Sequence, residues 1–272
     1  MQQNKEQIKD IFQNVAKKYD EIKFFKISAK EVTKIIQKEN PKDKLDILDV
    51  ACGTGNVVLE CASCLKEASF DAVDISEGML SLAKQNAKSR GLENINFILQ
   101  DITEVTLEKN YDVINCSYIL FFLPNAVKVL KALMKQLKPN GKLIFTSFLQ
   151  KAFTPTTDIF LPLLAQYGST SAKEYQPNKW QNLKQVADIE RLCAEADITN
   201  YKINIKKIRY GLSKDAWWEL LNNTGFSGML RELSEEDYKR TKKELFEALE
   251  KYANKLGEIE LNADSYFVVL SN

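Results

Sequence analysis

Apolar and polar positions alternate along the chain in two registers. Short apolar runs bounded by polar residues or glycine read as strands over residues 45–50, 70–76, 94–101, 111–117 and 143–148. Between them, apolar residues recur at helical spacing. Val57, Val58, Leu59 and Ala62 form one such stretch, Met79, Leu80, Leu82, Ala83 and Ala87 a second, and Val127, Leu130, Leu133 and Leu137 a third. Ser76 is placed to cap the second stretch and Gly91 to end it, while Pro139-Asn140-Gly141 stops the third. Strands alternating with helices predict βαβ units around a parallel sheet.

The flanks carry a different pattern. Ile8, Ile11, Phe12, Val15, Ala16 and Tyr19 mark one apolar helix face, and Ile27, Val32, Ile35 and Ile36 a second that stops before Asn40-Pro41. These helices either pack on a sheet edge or act as a lid, with Tyr19-Asp20 at the break between them. Residues 151–180, with Pro155, Pro162 and Pro177, read as an irregular insertion over the sheet. Val186, Ile189, Leu192, Cys193 and Ala196 form a helical face, and residues 201–210 alternate as one strand whose Lys202, Lys206 and Lys207 sit on a wet face. Trp217 and Trp218 read as core of a C-terminal cap rather than a substrate cage. Ser234 caps a helix that runs through Leu245, Phe246, Leu249, Tyr252 and Leu256 to Gly257, and residues 265–270 form a terminal strand. The expected division is a helical lid (1–40), a cofactor-binding core (41–150), an insertion cap (151–200) and a segment completing the sheet (201–272).

Composition narrows the partners. The 272 residues carry 38 Lys+Arg against 37 Asp+Glu, a formal net charge of +1 and no footprint for nucleic acid. No apolar run is long enough to span a bilayer, and the polar start is not a signal core. The expectation is a cytoplasmic protein, with peripheral membrane contact and oligomeric state left open. Five cysteines, an odd number, do not make a disulfide framework, and Cys61-x-x-Cys64 has no second pair. There is no histidine, so no metal site is expected, and proton transfer must use Asp, Glu, Tyr, Lys, Cys or water.

The candidate chemistry lies where the first strand meets the first helix. Ala51, Cys52, Gly53, Thr54, Gly55 and Asn56 make a tight turn into a helix N-terminus, which offers free N–H groups and close backbone approach. Three acids, Asp49, Asp74 and Asp101, end three successive strands, the edge where open α/β sheets bind ligands. Asp74 follows the turn by about twenty residues, the distance at which an acid reaches ribose hydroxyls. Asp101 is placed for an adenine amine, and Ile75, Met79 and Ile102 for the faces of the base. Asp49 precedes the glycines, where a pyrophosphate is repelled and a cationic amino-acid group attracted. The pattern also lacks the third glycine of the dinucleotide fingerprint. S-adenosylmethionine is therefore preferred over NAD.

The stretch Leu48-Asp49-Val50-Ala51-Cys52-Gly53-Thr54-Gly55 resembles motif I of class I S-adenosylmethionine-dependent methyltransferases. Residues 73–80 resemble the ribose motif, Gln100-Asp101-Ile102 the adenine motif, and Tyr111-Asp112-Val113, Leu123-Pro124-Asn125 and residues 137–143 the later ones. The Tyr19-Asp20 pair is similar to the cofactor-covering segment of the ubiquinone/menaquinone-biosynthesis (type 11) subgroup. The resemblance spans about Phe12 to Phe148. It implies an α/β, Rossmann-like, seven-stranded, mostly parallel sheet with an antiparallel last strand and helices on both faces, plus a helical lid and an insertion cap. It further implies cofactor contacts from Cys116 and Ser117, and methyl transfer to a small-molecule acceptor by in-line displacement, where alignment contributes roughly 7–11 kcal/mol in favourable cases. Relatives often carry His after the fourth strand, where this chain has Tyr118. Tyr19, Asp20 and Tyr118 are the candidate bases. An NAD-dependent oxidoreductase and a non-catalytic cofactor-binding module are the alternatives.

Overall fold

The computed structural model describes residues 2–42, 44–104, 109–176 and 178–271, with side chains except at 2–5, 7, 8, 14, 16 and 17. Two helices, α1 (Gln2–Tyr19) and α2 (Lys23–Glu39), precede β1 (Asp46–Val50). Then α3 (Asn56–Cys64), β2 (Ser69–Asp74), α4 (Glu77–Ser89), β3 (Ile95–Leu99), β4 (Tyr111–Ser117), α5 (Ala126–Lys135) and β5 (Leu137–Phe148) follow in turn. The remainder supplies α6 (Thr156–Gln166), α7 (Thr170–Glu174), α8 (Val186–Glu195), β6 (Asn200–Lys206), β7 (Arg209–Leu212), α9 (Lys214–Asn222), α10 (Ser227–Leu230), α11 (Glu235–Leu249), β8 (Ile259–Asn262) and β9 (Ser265–Ser271). Of the apolar face expected on α1, Ile8 and Ala16 lie outside the described side chains, as does Pro177 outside the described residues.

Seven strands form one sheet in the order β3-β2-β1-β4-β5-β9-β6. The pairs β1/β2, β1/β4, β2/β3 and β4/β5 are parallel, whereas β9 runs antiparallel to both β5 and β6. Because both faces are covered, β1 reads as a nearly continuous apolar run. Leu48 and Val50 pack with Leu130, Leu133, Ile189 and Leu192 from α5 and α8. Ile47 packs on the other face with Val32, Ile36, Val58 and Ala62 from α2 and α3. A third cluster joins Phe24 to Phe160, Trp217, Trp218, Leu230, Leu245 and Leu261, so α6, α9, α10, α11 and β8 make a cap continuous with the start of α2. Both tryptophans are core: Trp217 Nε1 donates to the Ile259 carbonyl at 3.3 Å and Trp218 Nε1 to the Tyr238 hydroxyl at 3.0 Å.

The expected caps form. Ser76 Oγ accepts the Met79 N–H at 3.3 Å and Ser234 Oγ the Asp237 N–H at 3.1 Å. Four boundaries differ. Leu137 belongs to β5, opposite Tyr111, and Pro139-Asn140-Gly141 lies within β5, where the register shifts between Tyr111 and Val113. A Cβ at Gly141 would lie 3.0 Å from the Tyr111 carbonyl, so only glycine lets this bulge close. The run 201–210 is two strands, because Ile208 turns into the cap and its N–H donates to Asp264 at 2.9 Å, sending β7 to pair with β8. Helix α11 stops at Leu249, and Leu256 is 81% exposed, so Gly257 (φ 73°) serves the turn before β8. Lys202 and Lys206 reach Glu39 and Glu31 of α2 at 3.1 and 3.0 Å.

Candidate cofactor and active site

The sheet order reverses between β1 and β4, which opens a crevice at the carboxyl ends of the strands. The turn after β1 lies at its mouth. Ala51 (φ 53°), Gly53 (φ 57°) and Gly55 (φ 89°) are all left-handed. For Ala51 that costs about 1 kcal/mol, and the Cys52 N–H fixes the turn by donating to the Val73 carbonyl at 3.0 Å. The two glycines do different work. A Cβ at Gly55 would meet Leu59 Cδ1 at 3.0 Å and Ala83 Cβ at 3.3 Å, so Gly55 lets α3 and α4 pack on the turn. Nothing lies within 4 Å of a Cβ built on Gly53, which lines the cavity and leaves its approach open.

That cavity gathers many of the residues picked out in the sequence. Ala51, Gly53, Asp74, Ile75, Met79, Asp101, Ile102, Ser117, Tyr118 and Tyr19 line it. Asp74 Oδ2 accepts the Gly53 N–H and Oδ1 the Ser76 N–H, both at 2.8 Å, so the carboxylate ties β2 to the turn and keeps lone pairs for a ligand. Burial raises its proton affinity, against those backbone bonds. Asp101 Oδ1 accepts from the Thr103 N–H and hydroxyl at 2.8 Å each.

Asp49, Cys52, Thr54, Gly55, Asn56, Cys116 and Asp20 do not line the cavity. Asp49 is 2% exposed and sits beneath the turn. Its carboxylate accepts the Val58 N–H at 3.2 Å, capping α3, and the Asn115 amide at 2.6 Å. Burial pushes its carboxyl up to about 7 despite these bonds, and the Asp74 charge adds to the effect. Asn115 in turn accepts from Ser117 Oγ at 3.0 Å, so a buried chain of hydrogen bonds links α3 to the cavity wall. Cys116 is fully buried, and burial raises its thiol far above the usual range. Cys61 is buried and Cys64 exposed, both as free thiols.

The α1–α2 corner covers the cavity. Asp20 accepts from the Thr54 hydroxyl, from Asn56 Nδ2 at 3.3 Å and from Asn86 Nδ2 at 2.7 Å, which latches the corner onto the turn and α4. Gln13 Oε1 makes a second latch, accepting from Ser76 Oγ at 2.8 Å and the Gly78 N–H at 2.9 Å. Tyr19 stacks on Phe25 (4.4 Å, 24°), and Phe12 stands edge-on to Phe122 at 5.8 Å. Tyr118 (φ 55°) stacks on Phe148 at 4.5 Å, and its hydroxyl shares a 2.6 Å hydrogen bond with Ser28 and donates to Ser265 at 2.9 Å. Burial above all holds both tyrosine protons more tightly than usual, with the Asp74 charge adding at Tyr19. Phe12, Gln100, Thr103, Ile119, Phe122, Leu123 and Pro124 complete the wall. Gln100 and Pro124 stood inside resembling motifs; Phe12, Asn86 and Gln13 gave no signal beyond helical spacing. Among the described residues no group of three or more Cys, Asp or Glu is arranged to hold a metal ion.

A cavity at the carboxyl ends of the strands occurs in both nucleotide-dependent oxidoreductases and methyltransferases, and the strand order separates them. In the dinucleotide fold the sixth strand lies beside the fifth; here antiparallel β9 is inserted between β5 and β6. With one open glycine, an acid at the end of β2 in the cavity wall and no third glycine, this molecule is a class I S-adenosylmethionine-dependent methyltransferase. The chain belongs to a methyltransferase-domain family, whose model matches residues 41–224. It is 28% identical over 220 residues to demethylmenaquinone methyltransferase of Staphylococcus aureus, covering 74% of this chain and 88% of that protein. It is 36% identical over 126 residues to malonyl-(acyl-carrier protein) O-methyltransferase of Halalkalibacterium halodurans, covering 45% of this chain and 46% of that protein. Plantazolicin methyltransferase BpumL, solved in complex with SAH, shares the fold with a TM-score of 0.55 at 16% identity, covering 100% of this chain and 98% of that one. The oxidoreductase alternative is set aside. No helix among the described residues is long and apolar enough to cross a membrane.

Proposed function

We propose that this methyltransferase acts on a small acceptor with an apolar, ring-bearing body, whose nucleophilic atom needs no base from the protein. The observation that carries this reading is the aromatic share of the cavity wall. Phe12, Tyr19, Tyr118 and Phe122 line the cavity, with Phe25 and Phe148 stacked behind them, and offset aromatic packing favours flat apolar ligands. A relative named for demethylmenaquinone supports the same class of acceptor.

In this reading Asp74 accepts from the ribose hydroxyls, Asp101 from the adenine amine, and Ile75, Met79 and Ile102 flank the base. Ala51, Gly53 and Ser117 supply the remaining wall. When bound, S-adenosylmethionine supplies a methyl carbon made electrophilic by its sulfonium. The protein aligns the acceptor and excludes water, with the corner held by Asp20 and Gln13 as cover. Tyr19 and Tyr118 keep their protons, so they orient rather than abstract. An acceptor that arrives as a carboxylate, an acidic enol or a neutral amine suits such a site. Neutral charge balance argues for no nucleic-acid partner, and five free cysteines for a reducing, cytoplasmic compartment.

Turnover of a panel of quinols, carboxylates and amines with labelled S-adenosylmethionine tests the acceptor class; methylation of amphipathic peptides alone would refute it. Calorimetry with S-adenosylhomocysteine tests the ribose contact. Asp74→Ala should weaken binding by roughly 1–3 kcal/mol, and unchanged affinity in a folded variant would remove Asp74 from that role.

A further inference from the structure

A second cleft lies on the same carboxyl edge, beyond β5. It is bordered by residues 149–151 after β5, by residues 184–186 at the start of α8, by Arg209 and Asp264, and by Tyr266 in β9. Three cations, Lys151, Lys184 and Arg209, stand there against one carboxylate, Asp264. Arg209 and Asp264 neutralise each other at 2.7 Å, and Asp264 also accepts the Ile208 N–H at 2.9 Å. Glu260 lies 3.5 Å from the outer side of the same guanidinium.

The two lysines have no such counterpart. The Lys151 ammonium has no partner among the described residues, and Lys184 Nζ donates only to the neutral Tyr175 hydroxyl, at 2.8 Å. The nearby Asp188 carboxylate is taken up by the Lys184 and Gln185 backbone N–H groups at 3.1 and 3.0 Å. The N–H groups of Val186 and Ala187, in the first turn of the ten-residue α8, donate to no described residue. Tyr266 is 6% exposed, lines the cleft, and its hydroxyl makes no hydrogen bond among the described residues. Burial and the Asp188 charge keep its proton in place as a donor. Donors from three elements therefore border one cleft with no acceptor among the described residues, and the hydroxyl of the otherwise buried Tyr266 opens onto it.

We propose that this cleft is a binding subsite for an acidic group, a carboxylate or a phosphate, held by Lys151, Lys184, the first turn of α8 and the Tyr266 hydroxyl. On the acceptor reading above, on which this role rests, the acid belongs to the acceptor. Leu149 follows Phe148, whose ring stacks on Tyr118 in the wall of the cofactor cavity. The cleft thus stands about two strand spacings from that wall, on the order of 10 Å. An acceptor reaching both would carry its acid at a comparable distance from the methylated atom.

Calorimetric titration of the full chain with inorganic phosphate, and separately with acetate, at constant ionic strength tests the subsite. At least one anion should bind saturably, and Lys151→Ala/Lys184→Ala should weaken it roughly tenfold or more while S-adenosylhomocysteine affinity stays unchanged. Phosphate alone binding assigns a phosphate, acetate alone a carboxylate. Absence of saturable binding by both anions overturns the subsite, as does equal binding by the double variant. Loss of S-adenosylhomocysteine binding in the native chain would instead strike the methyltransferase reading and leave the anion result standing.

Discussion

Asp20→Ala separates two roles for an acid that stands at the right place in the sequence to be a base. In the structure its carboxylate accepts from Thr54, Asn56 and Asn86 and does not line the cavity. A hydrogen bond to a charged group contributes about 1.5–3 kcal/mol net. The Asn56 contact is long at 3.3 Å and the group half-buried, so the substitution should weaken docking of the corner by roughly 2–4 kcal/mol rather than by the sum. Gln13 and the packing of Val15 on Met79 keep α1 mostly in place. Opening should then become about thirty- to several-hundred-fold more frequent, read as faster hydrogen exchange across residues 9–22. S-adenosylhomocysteine should dissociate faster, because the cover over its cavity lifts. Asp20→Asn keeps one acceptor oxygen and should fall between. A base would behave otherwise: turnover would drop by about 10²–10⁴ with exchange and cofactor affinity unchanged, and that pattern would refute the latch.

Three further outcomes follow from the same geometry. Gly53→Val should abolish detectable S-adenosylhomocysteine binding by calorimetry, since a branched residue is disfavoured at φ 57° and would intrude on the open approach; near-native affinity would mean the turn is not the cradle. Tyr118→Phe should cost about 1–2 kcal/mol of stability from the orphaned Ser28 hydroxyl and the bond Ser265 no longer accepts, although Ser265 still donates to the Ala263 carbonyl, a fall of a few degrees in Tm, with turnover within about threefold of native, whereas a base there would cost about 10²–10⁴. Asp49 holds its proton up to about pH 7 when folded and near 3.8 when unfolded. The stabilisation is thus complete below the unfolded value and lost as pH rises through the folded one, by up to about 4 kcal/mol. Denaturant titrations from pH 4 to 8 should show Asp49→Asn gaining on the native chain across that window, and a constant difference would contradict the assignment.

The sheet was readable because its central strands are runs of β-branched and aliphatic residues covered on both faces, its edge strand β6 alternates with a wet face, and each helix switches the period. What escaped was decided by distant partners. Nothing near Ile208 announces a break; the strand ends there because Asp264, far along the chain, captures its N–H. Leu137 has helical spacing, yet the glycine at 141 lets the chain bulge and pair with Tyr111. At the site, Asp74, Ile75, Asp101 and Ile102, at or just past strand ends, line one cavity with Met79 from the first turn of α4. Asp49 was assigned to the ligand by its place ahead of the glycines, and Asp20 to the chemistry by its place at the break between the first two helices. Their partners, Val58, Asn115, Thr54 and Asn86, are set by the turn's three-dimensional shape, which spacing does not encode. Phe12 and Phe122 were visible only as helix-face or apolar residues, because an aromatic wall has no local signature.

The pairing of β6 with β9 has a consequence for how the molecule assembles. These neighbours are joined residue by residue, Lys206 opposite Ser265, although residues 207–264 intervene. Closing a loop of that length as loose chain costs about 3–4 kcal/mol of entropy. Most of the loop is instead the cap built on Trp217, Trp218 and Leu245, so a folded cap acts as a splint that presents the two strands to each other already aligned. The outer edge of the sheet should therefore form late, after the cap, and damage deep in the cap should loosen strands it never touches.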